Sequence, residues 1–331
     1  MKLELVGDHY TSPEIGDAYT RVVMKNQNSY CLATDKKGYV LYEGGKLIDQ
    51  GHFKADANFF KSMVYVKDVD AYFMVLSYKI YKKEVNGLNP QLWVDGKFGW
   101  NSNTPMEYSP KNKRIFTTMP RNTIAVIDPK TNGVEFSLNV AGPDYIMNYR
   151  FIGKNHQYVI FASWNGRIGL FKYDTETKTG HVITLIQIPN HYGPSIDNLE
   201  VDSTEKVVLV SMLNEKGYQT NMVVYELWNN RFTFKSSVAY TDNFHRIRAL
   251  SFDKYYQNYA TFIGVDTSSQ GLIDVVRYNI HTGVLSRETE KVLASGEDYV
   301  RDLDRVGEWF YFAGKRGKVF KTRLVDTRKG N

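Results

Sequence analysis

Apolar positions along this chain fall into one short phrase that returns seven times. Each copy has an apolar residue, two variable residues, an apolar residue, one spacer and a third apolar residue. The copies read Tyr19/Val22/Met24, Phe60/Met63/Tyr65, Met106/Tyr108 (with the polar Asn103 in first place), Ile146/Tyr149/Phe151, Ile196/Leu199/Val201, Ile247/Leu250/Phe252 and Val300/Leu303. In the seventh copy Arg305 stands in the place of the last anchor. The middle anchors are separated by 41, 43, 43, 50, 51 and 53 residues. A period of that size, built from short strands, predicts a propeller-type array.

The rest of each unit repeats as well. From 11 to 14 residues beyond the middle anchor an apolar run ends in a small residue, as in Phe73–Ser77, Val159–Ser163, Val207–Ser211 and Trp309–Gly314. Continuous apolar runs bounded by turn residues predict strands buried on both faces. A third strand then closes on an apolar–acidic pair: Tyr42-Glu43, Val94-Asp95, Ile127-Asp128, Tyr173-Asp174 and Tyr225-Glu226. The sixth unit has Tyr278-Asn279 at this place, and in the seventh Asp326 comes one position late. Turn segments such as Asp128–Gly133 and Asp174–Gly180 follow, and Gly or Asn there suits tight hairpins. A fourth, outer strand is predicted over Val134–Val140, His181–Ile188 and Phe232–Tyr240.

On these features the chain resembles a divergent member of the WD-repeat β-propeller superfamily. The apolar–acidic pairs sit where that family places its Trp-Asp, and the small residues where it ends its second strand. The family's Gly-His dipeptide and a literal Trp-Asp are absent from every unit, so its buried Asp–His–Ser network is expected to be reduced or missing. The resemblance implies the fold and a habit of binding other proteins, and no specific activity.

The expected architecture is therefore all-β: one seven-bladed β-propeller of four-stranded antiparallel blades filling residues 1–331. The blades span approximately 18–53, 59–100, 103–141, 145–189, 195–241, 246–294 and 299–326 plus 1–6. The seventh unit has room for only three strands, so the segment Lys2–Val6 is expected to supply its fourth. Closure of this kind removes open sheet edges that would otherwise invite aggregation.

Composition changes this picture little. Of 331 residues 42% are hydrophobic and 14% aromatic, enough for a large β core. No apolar stretch approaches the roughly 18 residues of a membrane span, and the segment from Met1 to Gly7 is too soon charged to be a signal peptide. Cys31 is the single cysteine, which forbids an intrachain disulfide. No Asn-x-Ser/Thr sequon occurs. These features point to a reducing, cytoplasmic setting, with the nucleus also open. The net charge of +6 is carried by residues 315–331, where Lys315, Arg316, Lys318, Lys321, Arg323, Arg328 and Lys329 face Asp326 alone.

Candidate chemistry is sparse. The two variable residues of each phrase are expected at the channel mouth: Thr20/Arg21, Lys61/Ser62, Thr104/Pro105, Met147/Asn148, Asp197/Asn198, Arg248/Ala249 and Arg301/Asp302. This mixed ring reads either as ordinary solvated strand ends or as the lead for an enzyme or small-molecule binder, with Asn148, Asp197 and Asn198 as possible oxygen ligands. The seven histidines lack the spacing of zinc ligands. Asn165–Leu170, glycine-rich, reads as a hairpin turn without a helix N-terminus to receive phosphate. Ser77–Gln91 reads as an insertion between the second and third strands of its blade, carrying Tyr78, Tyr81 and Lys82 as interface candidates. Arg246, Arg248, Arg301, Lys315 and Arg316, with Arg21 and Lys61, form the electropositive set.

The resulting expectation is a non-catalytic protein–protein interaction scaffold or structural subunit of a larger intracellular assembly. No catalytic residue, metal or cofactor is assigned. The interaction candidates are Arg21, Lys61, Tyr78, Tyr81, Lys82, Asn148, Asp197, Arg246, Arg248, Arg301, Lys315 and Arg316. Two other readings stay open: an enzyme or small-molecule binder at the channel mouth, and nucleic-acid or phosphate binding through the basic C-terminal segment.

Overall fold

An anchor spacing of three places two side chains on opposite faces of a regular strand, because successive residues alternate. The innermost strands resolve this with a bulge. In Phe60–Val66, Ile146–Ile152, Ser195–Val201 and Ile247–Tyr256 the pairing register shifts within the variable pair, at Phe60/Ser62, Ile146/Asn148, Ile196/Asn198 and Ile247/Ala249. One extra residue turns the strand, so that both anchors face the same neighbour. Phe60 and Met63 accordingly share one core cluster, as do Ile146 and Tyr149, Ile196 and Leu199, and Ile247 and Leu250.

The computed structural model describes residues 2–5, 20–34, 38–52, 60–76, 78–87, 89–98, 105–120, 122–140, 145–214, 220–239, 247–266, 272–291, 302–314 and 319–325. Seven four-stranded antiparallel sheets form a propeller. Counting from the N-terminus, the innermost strands of blades 1 to 7 are Thr20–Asn26, Phe60–Val66, Met106–Ser109, Ile146–Ile152, Ser195–Val201, Ile247–Tyr256 and Asp302–Val306. Among the described residues there is no α-helix, and none long and apolar enough to cross a membrane.

The core is distributed between the blades. Among the described residues seven apolar clusters each join two consecutive blades. Cys31, Leu41, Tyr72 and Met74 lie between blades 1 and 2, for example, and Leu170, Leu199, Val208 and Val210 between blades 4 and 5. The seventh cluster joins Val22, Leu32 and Tyr42 of blade 1 to Tyr311, Ala313 and Val319 of blade 7. Second strands lie between two such clusters, which is why Ala71–Leu76 and Val207–Leu213 are buried at every position. Burial at about 25 cal/mol per Å² of apolar surface makes these interfaces the main stabilising term.

Closure follows the expected route. Lys2–Leu5 pairs antiparallel with Val319–Val325, Lys2 opposite Val325 and Leu5 opposite Thr322, and becomes the outer strand of blade 7. The basic run over 319–325 is therefore the third strand of that blade, with Lys321 and Arg323 against the Trp309 ring at 4.3 and 5.0 Å.

Polar ties reinforce each junction at the end where first and second strands turn. Lys25 meets Asp70 at 2.9 Å between blades 1 and 2, and the Tyr108 hydroxyl donates to Asp68 between blades 2 and 3. Asn112 donates to the carbonyl of His156 at 3.0 Å, and the Gly153 N–H donates to Glu205 at 2.7 Å. The Tyr255 hydroxyl donates to Asp202 at 2.6 Å. Arg305 donates to the Phe252 carbonyl and lies 3.5 Å from Asp253. The Tyr311 hydroxyl donates to the Gln27 carbonyl at 3.1 Å, completing the circle. Arg305, the residue that breaks the apolar phrase, is thus the tie between blades 6 and 7.

Blade 2 differs from expectation. Its third strand is Lys79–Glu84, inside the segment read as an insertion, and Gln91–Val94 is the fourth strand, so Val94-Asp95 closes the edge strand. The third strand escapes hydrophobic patterning because Lys83, fully buried, is neutralised by Asp49 of blade 1 at 2.8 Å and donates to the carbonyls of Glu84 and Gly87. Outer strands end slightly earlier than expected, at Asn139, Gln187 and Val238. The two glycines of Asn165–Leu170 have structural causes. Gly166 turns the hairpin at φ +73, and a Cβ on Gly169 would lie 2.2 Å from the Phe161 ring.

Removing residues 1–7 is expected to lower the melting temperature by roughly 5–10 °C and to promote aggregation from the bared edge of Val319–Val325. An unchanged scanning-calorimetry transition would contradict closure by this strand.

Candidate functional site: the charged channel

With the anchors committed to one face of the innermost strand, the residues on either side of each middle anchor take the opposite face, where Val23, Val64 and Ala249 pack on the next blade and the polar ones border the channel. The first row is Arg21, Ser62, Pro105, Asn148, Asn198, Ala249 and Asp302. The second row, made of the spacers, is Val23, Val64, Glu107, Arg150, Glu200, Ser251 and Asp304. In the second row Arg150 of blade 4 bridges Glu200 of blade 5 at 3.0 Å and Glu107 of blade 3 at 3.1 Å. Across from it, Asp304 accepts the Met24 N–H at 2.7 Å and Asp302 accepts the Val22 N–H at 3.0 Å. These carboxylates fasten blade 7 to the innermost strand of blade 1. In the first row, Asn148 donates to Asn198 at 3.1 Å between blades 4 and 5.

Four carboxylates face two guanidiniums in this space, and burial sets their titration. Burial pushes Glu107 up to about 7 against the pull of Arg150, and the like charges of Glu200 and Asp304 raise it further. Burial also lifts Asp304 to about 6, opposed by the N–H groups of Met24 and Arg305. Asp302 is raised by burial and held back by Arg21. Burial alone would lower Arg150; Glu200 and Glu107 outweigh it and keep the guanidinium above its ordinary value. Solvent reaches this channel, since the Glu107 side chain is 41% exposed, so its shift carries less energy than a dry site would give.

The candidates read from the sequence separate here. Arg21, Asn148 and Asn198 do line the channel. Asp197 is buried at the bulge, and Ser62, Met147, Asp197 and Asn198 are buried positions, which corrects the reading of solvated strand ends. Lys61 and Arg248 are placed by backbone alone, at the bulges of blades 2 and 6. Tyr78 is exposed, whereas Tyr81 and Lys82 lie in a strand rather than a loop. Tyr81 packs on the cluster between blades 1 and 2, and Lys82 lies over Trp93 and pairs with Glu84. Arg246, Arg301, Lys315 and Arg316 lie outside the described residues. Sequence reasoning missed the spacers Glu107, Arg150, Glu200 and Asp304. For Glu107, Arg150 and Glu200 the signal was present, for a charged residue between two apolar anchors on one strand face must point to the other.

Among the described residues no group of three or more His, Cys, Asp or Glu side chains is arranged to hold a metal ion. Cys31 is fully buried, and burial raises its thiol well above the ordinary value, which suppresses the nucleophilic thiolate. No family model and no curated protein matches the chain. The class that fold and site define is a seven-bladed β-propeller with a charge-paired channel.

Replacing Arg150 with Met leaves Glu107 and Glu200 facing each other and is expected to destabilise by roughly 2–4 kcal/mol, below the figure for a fully dry pair. Urea unfolding measures this; a loss under about 0.5 kcal/mol would make the bridge incidental. Glu107→Gln tests the titration. A carboxyl raised in the folded state contributes stability below its unfolded value, near 4.5, and loses it as pH rises through about 7. The variant should therefore gain unfolding free energy relative to the parent between pH 5 and pH 8, by about 1 kcal/mol at most. A difference constant across that range would contradict the assignment.

Proposed function

We propose that the protein is a non-catalytic interaction scaffold, a structural subunit of a larger cytoplasmic assembly and a divergent relative of the WD-repeat propellers. The observation that carries this reading is the apolar surface at the turns between third and fourth strands. Trp228 is 60% exposed at the start of that turn in blade 5. Val284 is 57% exposed in the equivalent turn of blade 6, with Ile280 and Tyr259 also exposed beside it. Equivalent hairpins of adjacent blades lie on one face, so these side chains form an arc over two blades. Exposed tryptophan in such an arc is the usual mark of a binding anchor. The channel charges, by contrast, are engaged in blade-to-blade bonds, which favours a structural role for them.

A second reading draws on Glu107 and Asp304. Carboxyls lifted toward neutrality in a central cavity are the common signature of a site for a small molecule or for proton transfer.

Native mass spectrometry of the tagged chain recovered from its own cells separates the two. The scaffold reading expects stoichiometric protein partners, lost at least tenfold in a Trp228→Ser, Val284→Ser double variant whose melting temperature is unchanged. A monomer carrying a bound metabolite, or partners retained by the double variant, would overturn it.

A further inference from the structure

Between blades 6 and 7, on the same face as Trp228 and Val284, lies a cleft of about 550 Å³. Its walls are Lys254, Tyr255 and Tyr256 at the first turn of blade 6, Glu308 at that of blade 7, and Arg323 with Leu324 at the end of the third strand of blade 7. The volume falls within the range of ligand sites. The two tyrosines are held rigidly, since Tyr255 donates to Asp202 at 2.6 Å and Tyr256 to Asp253 at 2.9 Å. Each of the two cations rests on an aromatic face, and among the described residues neither has a carboxylate ion pair. Lys254 lies 5.1 Å from the Tyr256 centroid and Arg323 lies 5.0 Å from that of Trp309. The Arg323 Nε is buried with no hydrogen-bond partner among the described residues.

A guanidinium and an ammonium in one cleft, both left with donors to offer, call for an anion. The charge balance selects which one. Among the described residues that line the cleft, Lys254 and Arg323 exceed Glu308 by a single charge, which suits one carboxylate; a dianionic phosphate would leave a negative charge uncompensated beside Glu308. The floor at Leu324 is apolar, and blade 6 continues outward to Tyr259, Ile280 and Val284 on the same face. We propose that this cleft docks an acidic segment of a partner protein, with a Glu or Asp side chain on Arg323 and Lys254 and neighbouring apolar residues running toward Val284. The inference rests on the scaffold reading above and names the chemistry of its partner.

The test uses a capped, fluorescein-labelled dodecapeptide in which two adjacent glutamates precede leucine and phenylalanine. Its glutamine analogue is the control. Fluorescence anisotropy with the full chain at about 50 mM salt keeps electrostatic contacts visible. The acidic peptide is expected to bind at least tenfold more tightly than the glutamine analogue. Lys254→Met, a change on an exposed side chain, should weaken it threefold or more, and Arg323→Met tenfold, with Arg323→Lys between. Equal binding of the two peptides, or discrimination that survives both substitutions, would overturn the proposal. So would displacement of the peptide by millimolar inorganic phosphate beyond the effect of chloride at matched ionic strength, since the site would then prefer phosphate. If Arg323→Met fails to fold, Lys254→Met decides alone. Failure of the peptide leaves the scaffold reading to its own measurement, retention of native partners by the Trp228→Ser, Val284→Ser variant.

Discussion

A propeller has no centre to collapse onto; its sheets are stable only when each has a neighbour on both sides, so the circle must shut. Here the constraint falls on the junction of blades 7 and 1. Three features hold it at three radii. At the channel, Asp302 and Asp304 accept N–H groups of the innermost strand of blade 1. At mid-blade, Val22 and Tyr42 pack on Tyr311 and Val319. At the rim, Lys2–Leu5 completes the last sheet. Each of the other six junctions repeats the apolar cluster and at least one polar tie, and the chain itself is continuous there.

The channel charges follow from the same geometry. Innermost strands present one unpaired edge toward the centre, and buried N–H groups need acceptors. Side-chain carboxylates on the neighbouring blade supply them at the closing junction. The Arg150 guanidinium joins blades 3, 4 and 5 by side-chain ion pairs to Glu107 and Glu200 instead. The raised values of Glu107 and Asp304 are the consequence of placing these groups between protein walls. A site that holds the ring together and a site that titrates near neutrality are thus one set of residues.

Much of this was readable from residue order because the constraints are local. The spacing of three and then two between anchors encodes a bulge followed by regular strand, and the fully apolar runs encode strands between two interfaces. Seven copies then give seven blades, and a seventh copy short of one strand gives the closure. What escaped was tertiary. The third strand of blade 2 carries Lys83, whose partner Asp49 belongs to another blade. Pairs such as Tyr255 with Asp202 and Gly153 with Glu205 lie a whole blade apart in the chain and have no local signature. The spacers Glu107, Arg150 and Glu200 were visible in the phrase, but their bonding depends on which blades face one another.

Native-state hydrogen exchange read by mass spectrometry addresses the central claim of a ring shut by its own ends. Amides of Lys2–Leu5 and Val319–Val325 should be protected together, and should lose protection at the same denaturant concentration as the second strands of blades 1 and 7. Exchange of the Lys2–Leu5 segment at the rate of an unfolded peptide, with the blades still protected, would contradict it.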